Sequence, residues 1–179
     1  MKKGIVVYGS HYGATEAYAR EIAKRLEFDC MNYKEVKTLD PYQIVVIGGG
    51  LYAGGVTGLK KTVEKVDYSK MDIFIYTVGL SSKTKENLDH ANLNVRSSVS
   101  KEQVDDSRIF YYRGNMDLHK LSFLHRTMMK FMISETKKIP TEKQTEDNKG
   151  VINLNNESVH FIDINDVSDL VEAIKQIKG

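Results

Sequence analysis

Four short stretches of the chain are apolar at successive positions: residues 4–9 (GIVVYG), 43–48 (QIVVIG), 72–79 (DIFIYTVG) and 108–114 (RIFYYRG), with a weaker run at 30–36. They are rich in β-branched and aromatic residues, and they run continuously instead of alternating, as strands covered on both faces do. Between them the period becomes helical. Tyr18, Ile22 and Leu26 repeat every four residues, with Thr15 and Ala19 on the same face, and Leu59, Val63 and Val66 form a shorter stripe. Val167, Leu170, Val171, Ile174 and Ile177 predict a terminal amphipathic helix, with Asp163 or Asn165 placed to cap it. Residues 84–107 are expected to hold one more helix, although Leu88, Ala91 and Leu93 give only a faint stripe.

Strand and helix in alternation mean right-handed crossovers and a parallel sheet. Five strands favour an α/β, three-layer, doubly wound sheet of order 2-1-3-4-5. Two segments exceed this minimal pattern. Residues 121–133 (LSFLHRTMMKFMI) hold eight apolar residues in thirteen and predict a helix with a wide apolar face. Two readings stay open for it: a core helix packed on the sheet, or a surface that meets a quinone, a membrane or a second subunit. Arg126 and Lys130, one turn apart, suit the flanks of such a surface, and Met128, Met129 and Met132 suit an adaptable contact. Residues 140–158 are polar, Asn-rich and without period, and are expected to form a mobile loop. The expectation is one domain over residues 1–179, with the extra helical segment and loop at about 115–158.

Composition narrows the classes. With 41% hydrophobic and 28% charged residues, the chain has the make-up of a globular protein. No apolar stretch approaches the ~20 residues that span a bilayer. Met1-Lys2-Lys3 precede only a five-residue apolar run, which reads as a first strand and not as an export signal. Cys30 is the single cysteine, which excludes an internal disulfide and a multi-thiolate metal site within the chain. A net charge of +2, with bases interleaved among acids, is no nucleic-acid footprint. The expected location is the cytoplasm, including the inner face of the membrane if residues 121–133 dock there.

The candidate chemistry sits where strands end. Gly9, Gly48, Gly79 and Gly114 close the four strong runs, and in an open parallel sheet those ends lie along the ligand-binding edge. After the first strand, Ser10-His11-Tyr12-Gly13-Ala14-Thr15 places two hydroxyls and successive backbone N–H groups at a helix N-terminus. That is an anion site; the simpler reading is an ordinary helix start capped by Ser10 or Thr15. No Lys or Arg lies between Gly4 and Ala19, so amides and hydroxyls would neutralise the anion, which suits a monophosphate. The triphosphate loop GxxxxGK[ST] is absent. Residues 48–53 match GxGxxA, but they follow the third strand, and no acidic residue ends a next strand about twenty residues on, as the dinucleotide fingerprint needs.

The spacing S-x-x-G-x-T at Ser10–Thr15 resembles the FMN phosphate loop of flavodoxins, [TS]-x-[TS]-G-x-T, with Tyr12 where that pattern has a hydroxyl residue. The resemblance covers most of the chain. It is closest to the branch of flavodoxin-type, menaquinone-dependent protoporphyrinogen dehydrogenases, matched by Tyr76-Thr77-Val78-Gly79-Leu80, by Arg113-Gly114 and by the basic, Met- and Phe-rich stretch at 123–133. The chain departs from that branch at Tyr52, where an Arg is usual, and at residues 115–120, which are less aromatic and basic. The resemblance implies a flavodoxin-like fold with FMN as cofactor. Its phosphate would be held by Ser10, His11, Tyr12, Gly13, Ala14 and Thr15. Two loops, Gly49, Gly50, Leu51, Tyr52 and Ala53 on one side and Val78, Gly79, Leu80, Ser81 and Ser82 on the other, would flank the ring. Tyr52 would stack on the ring or lie at the surface. A peptide at Gly49, Gly50 or Gly54 would turn toward the reduced ring.

Two functions follow from the resemblance: an oxidoreductase passing electrons from a reduced substrate, a porphyrinogen in that branch, to a quinone, or a carrier shuttling them between redox proteins. Shuttle flavodoxins are usually acidic, so the pI near 8.5 weighs against the carrier. A scaffold of the same fold that no longer binds FMN is the third reading.

Overall fold

The computed structural model describes residues 2–52, 55–117, 119–153 and 158–178. Its centre is a parallel sheet of β1 (Gly4–Gly9), β2 (Asp29–Asn32), β3 (Ile44–Tyr52), β5 (Asp72–Gly79) and β6 (Ile109–Arg113), in the order β2-β1-β3-β5-β6. Counting only these five, the order is the expected 2-1-3-4-5. The additional strand, β4 (Gly55–Val56), folds back antiparallel onto the end of β3, pairing Leu51 with Val56 and Tyr52 with Gly55.

The continuous apolar runs have a direct cause: successive side chains enter two different cores. On one face Val6, Tyr8, Val46, Phe74 and Tyr76 pack with α1 (Ala14–Leu26) and α6 (Ser168–Lys178). On the other, Ile5, Val7, Val45, Ile47, Ile73 and Ile75 pack against Leu59 of α2 (Leu59–Val63) and Val95 of α3 (Lys85–Arg96). The weak stripe of α3 is explained by its burial, since Ala91 and Val95 enter the core while Leu88 and Leu93 face solvent. Asp163 accepts from the Asn165 N–H at 2.9 Å, so it caps a short 3-10 turn at Ile164–Val167 that leads into α6.

The segment after β6 departs furthest from expectation. β7 (Asn115–Met116) is followed by α4 (Phe123–Lys137), then by α5 (Glu146–Asn153), then by β8 (Val159–His160), which pairs antiparallel with β7. The stretch expected to be a loop at 140–158 therefore contains a helix. Its short length hid the helical period, and a tertiary contact of Asp147, described below, anchors it. The Asn115 side-chain carbonyl accepts from the N–H groups of Phe161 and Ile162 at 2.9 and 3.1 Å. The segment thus leaves and rejoins the domain at one point. α4 is not a core helix either: among its described residues only Ile133 and Thr136 are buried. No helix among the described residues is long and apolar enough to cross a membrane.

Candidate functional site

The N-terminus of α1 is set by two local features. Gly13 takes a positive φ of 92°, which a side chain would strain, and it stands at the N-cap without a side-chain cap of the helix. The Ser10 hydroxyl instead accepts from the Gly13 N–H at 3.0 Å, so Ser10 folds the loop and does not cap the helix. Thr15 is turned inward and buried. The first backbone bond of the helix runs from the Ala17 N–H to the Gly13 carbonyl at 3.0 Å. The N–H groups of Ala14, Thr15 and Glu16 precede it and have no partner within the helix.

One core contact fixes the direction of this helix start. The Tyr76 hydroxyl, fully buried, donates to the Thr15 carbonyl at 2.9 Å. Its ring reaches there across Gly48: a Cβ at Gly48 would fall inside the Tyr76 ring.

The chain around the strand ends differs from two simple loops. Gly49 and Gly50 belong to β3, paired with Thr77 and Val78 of β5, and the Thr57 N–H donates to the Gly50 carbonyl at 3.0 Å. β3 runs to Tyr52 because it gains a partner on its far end in β4, so the connection is shorter than expected. Their peptides are held in the sheet. Ala53 and Gly54 lie outside the described residues.

On the other side, three consecutive residues after β5 are each held by a different side chain, two from β6 and one from α5. Arg113 donates to the Leu80 carbonyl through Nη2 at 3.0 Å and Nε at 3.3 Å. The Tyr111 hydroxyl donates to the Ser81 carbonyl at 2.8 Å. Asp147 of α5 accepts from the Ser82 N–H and hydroxyl, both at 3.0 Å, and from the Asn87 side-chain amide at 2.7 Å. Burial opposes the charge on Asp147. Those hydrogen bonds, with the positive charge of Arg113, still hold its carboxyl below the usual range.

These elements enclose a cavity of about 950 Å³, at the upper end of the ~300–1,000 Å³ common for ligand and cofactor sites. Its floor is formed by Thr15, Gly50, Val78 and Gly79 at the sheet edge, and the end at the start of α1 by Ser10, Tyr12 and Ala14. α3 adds Asn87, His90 and Asn94 along one wall. The roof is α4, through His125, Met128, Met129 and Met132, with Leu121 just before it. No Lys, Arg, Asp or Glu is among the described lining residues. At the end near Ser10 the helix dipole of α1 adds positive potential, roughly half a unit charge.

An aromatic cluster closes the end near Tyr12. Tyr52 stacks on His125 with centroids 5.4 Å apart and planes within 11°, and His11 sits edge-on to Tyr52 at 5.0 Å. The Tyr12 hydroxyl lies 2.5 Å from Nδ1 of His125, tying the first loop to α4. Burial, with the neighbouring Tyr12, pushes the Tyr52 hydroxyl up to about 12, and burial does the same for Tyr111. Both stay neutral donors at ordinary pH.

Of the residues singled out in the sequence, the structure brings Ser10, Tyr12, Ala14, Thr15, Gly50, Leu51, Tyr52, Val78, Gly79, Leu80 and Ser81 to the cavity. It leaves four beside it. His11 is exposed and leans on Tyr52. Gly13 is spent on the helix turn. Gly49 faces Val56 and Thr57. Ser82 is engaged by Asp147. Sequence reasoning did not find Asn87, His90 and Asn94, because no motif marks a helix face that looks along a sheet edge. It saw the methionines of α4 without assigning them to this cavity.

The family model of the flavodoxin domain matches residues 5–143. Among curated proteins no sequence matches. Among solved structures the chain is similar to the flavodoxin, WrbA-like protein from Agrobacterium tumefaciens, at 20% identity and a TM-score of 0.41, over 57% of this chain and 73% of that one. It is similar to the Lactobacillus acidophilus flavoprotein in complex with FMN, at 15% identity and a TM-score of 0.42, over 64% and 94%. It is also similar to the Fusobacterium nucleatum flavodoxin bound to flavin mononucleotide, at 17% identity and a TM-score of 0.42, over 55% and 66%. The sequence match spans more than three quarters of the chain and includes every strand of the central sheet: this protein belongs to the flavodoxin-domain family.

Proposed function

We propose that the cavity binds FMN and that the protein is a flavin-dependent oxidoreductase, moving electrons from a reduced substrate to a quinone-type acceptor. One observation carries this reading. A large cavity, without charged side chains among its described lining residues, has a helix N-terminus and hydroxyls at one end and a thioether wall along its roof.

The residues fit the cofactor. The free N–H groups at the start of α1, with the hydroxyls of Ser10, Tyr12 and Thr15, suit a phosphate held without a cationic side chain. Gly50 lies between the Tyr52 ring and the Thr15 hydroxyl, 2.8 and 3.5 Å from where a Cβ would stand, so a side chain there would push into the Tyr52 ring. Bound FMN would supply the electron chemistry, and the chain would supply position and environment. Leu80, Ser81 and Ser82, each pinned from another element, make a rigid wall beside the ring. Leu121, buried, and Met129, half-buried, line the far side.

The roof favours an enzyme over a carrier, because a carrier needs an exposed ring edge and this chain covers its site with a helix. The reductant we propose is of the porphyrinogen type, by analogy with the dehydrogenase branch that the chain resembles. The test is anaerobic photoreduction of the FMN-loaded protein, followed by rapid mixing with a menaquinone analogue or with redox proteins. Fast reoxidation by the quinone supports the reading. Reoxidation by redox proteins alone makes the protein a carrier, and failure to retain FMN removes the proposal altogether.

A further inference from the structure

Helix α4 has two apolar faces. One carries His125, Met129 and Ile133 inward. The other turns Phe123, Leu124 and Phe131 outward, with 87%, 65% and 68% of their surface exposed. Patches of this kind on a soluble domain mark a contact. The charges around this one identify the partner. Between residues 120 and 138 the cations Lys120, Arg126, Lys130, Lys137 and Lys138 face one carboxylate, Glu135. All five are exposed, and Glu135 is already paired with Lys138 at 2.6 Å. The segment carries +4 in a chain whose total is +2, so the rest of the protein is slightly acidic.

On the helix, Arg126, Lys130 and Lys137 form one row at spacings of four and seven. The row runs beside Phe123, and Arg126 also donates to the His119 carbonyl at 2.8 Å; Leu124 and Phe131 lie roughly a third of a turn further round, with Lys138 between them and the row. Long cations bordering an aromatic crest are the signature of a helix lying in a bilayer interface: rings enter the acyl boundary while the cations meet anionic headgroups.

We propose that α4 is a membrane-docking helix that seats this chain on an anionic lipid surface through Phe123, Leu124 and Phe131, with Arg126, Lys130 and Lys137 on the headgroups. Met128 and Met132 line the cavity and are also 43% and 39% exposed, so the mouth of the cavity runs along the same helix, next to the crest. Resting on the function proposed above, this gives a lipid-soluble acceptor a path from the bilayer to the cavity without crossing water.

The test uses the full chain with vesicles of phosphatidylcholine alone and of phosphatidylcholine mixed equally with phosphatidylglycerol. Binding is read by co-sedimentation, which does not depend on flavin or on turnover, so it fails or succeeds separately from the enzyme reading. The expected result is binding to the mixed vesicles, weakened by salt. A variant with Phe123→Ser, Leu124→Ser and Phe131→Ser should bind at least about tenfold more weakly. Its far-UV circular dichroism should be unchanged. Arg126→Gln, Lys130→Gln and Lys137→Gln should each cost roughly fivefold on the mixed vesicles. Equal binding by the serine variant and the parent would overturn the proposal, as would no binding to either vesicle. A dimer in light scattering that the serine variant dissolves, without vesicle binding by the parent, would make the face a subunit interface and overturn it too.

Discussion

Arg113, the last residue of β6, grips the Leu80 carbonyl with two hydrogen bonds and lays its guanidinium 3.7 Å over the Phe161 ring. One side chain thus joins a cavity wall to the point where the extra segment rejoins the domain. Arg113→Met removes both bonds and keeps much of the stem. FMN affinity should fall several-fold in a fluorescence titration, and the thermal midpoint should drop by a few degrees, since charged hydrogen bonds are worth about 1.5–3 kcal/mol. Unchanged affinity would show that the Leu80 peptide is held by the rest of the wall alone.

Ser10→Ala and Thr15→Ala probe the other end. Each removes a neutral donor to an anion that no cationic side chain neutralises, so each should weaken FMN binding roughly tenfold. Ser10→Ala also frees the Gly13 N–H, so it should loosen the turn, visible as faster amide exchange at residues 11–14. Retention of FMN in the double variant at the parent level would place the phosphate elsewhere.

Gly48→Ala acts on stability before binding. The added methyl meets the Tyr76 ring in a filled core and must displace the hydroxyl from the Thr15 carbonyl. Overpacking of this sort costs about 1–3 kcal/mol, read as a lower urea midpoint at an unchanged slope. Tyr76→Phe separates the two effects: the ring stays, the hydrogen bond goes, and the loss should be about 1 kcal/mol.

The pH dependence of the extra segment follows from Asp147. Its carboxyl is held below the ordinary carboxylate range in the folded protein. Its contribution is therefore present above the unfolded value, about 3.9, and is lost as pH falls through the lower folded value. Amide protection in α5 should fall as the solution is acidified below about pH 4, earlier than protection in β3. Asp147→Asn should loosen α5 already at neutral pH and remove that acid step. An unaltered acid profile in the variant would assign the step to another carboxylate.

The fold was legible because each central strand feeds two cores, and residues such as Val6 and Val7 record that as an unbroken apolar run. The first loop was legible for a local reason: its donors are consecutive in the chain. The far wall of the cavity was not. Asn87 and Asp147 are 60 residues apart, and they meet only because α5 folds against α3. The length of β3 was hidden as well, since its last two residues pair with Gly55–Val56 and not with a strand of the sheet. For α4, periodicity left two faces available. Only the packed chain shows that the methionines turn inward to the cavity while the phenylalanines do not.

The Asn115 clamp has a practical consequence. Because Asn115 pairs with His160 and also binds the two peptides that follow, the roof of the site is an appendix tied off at its neck. A short turn could bridge Met116 to Val159 and leave β6, α1 and α6 in register. Such a trimmed chain would be an open-topped version of the same receptacle, and foreign appendices could be spliced onto that neck to admit other guests.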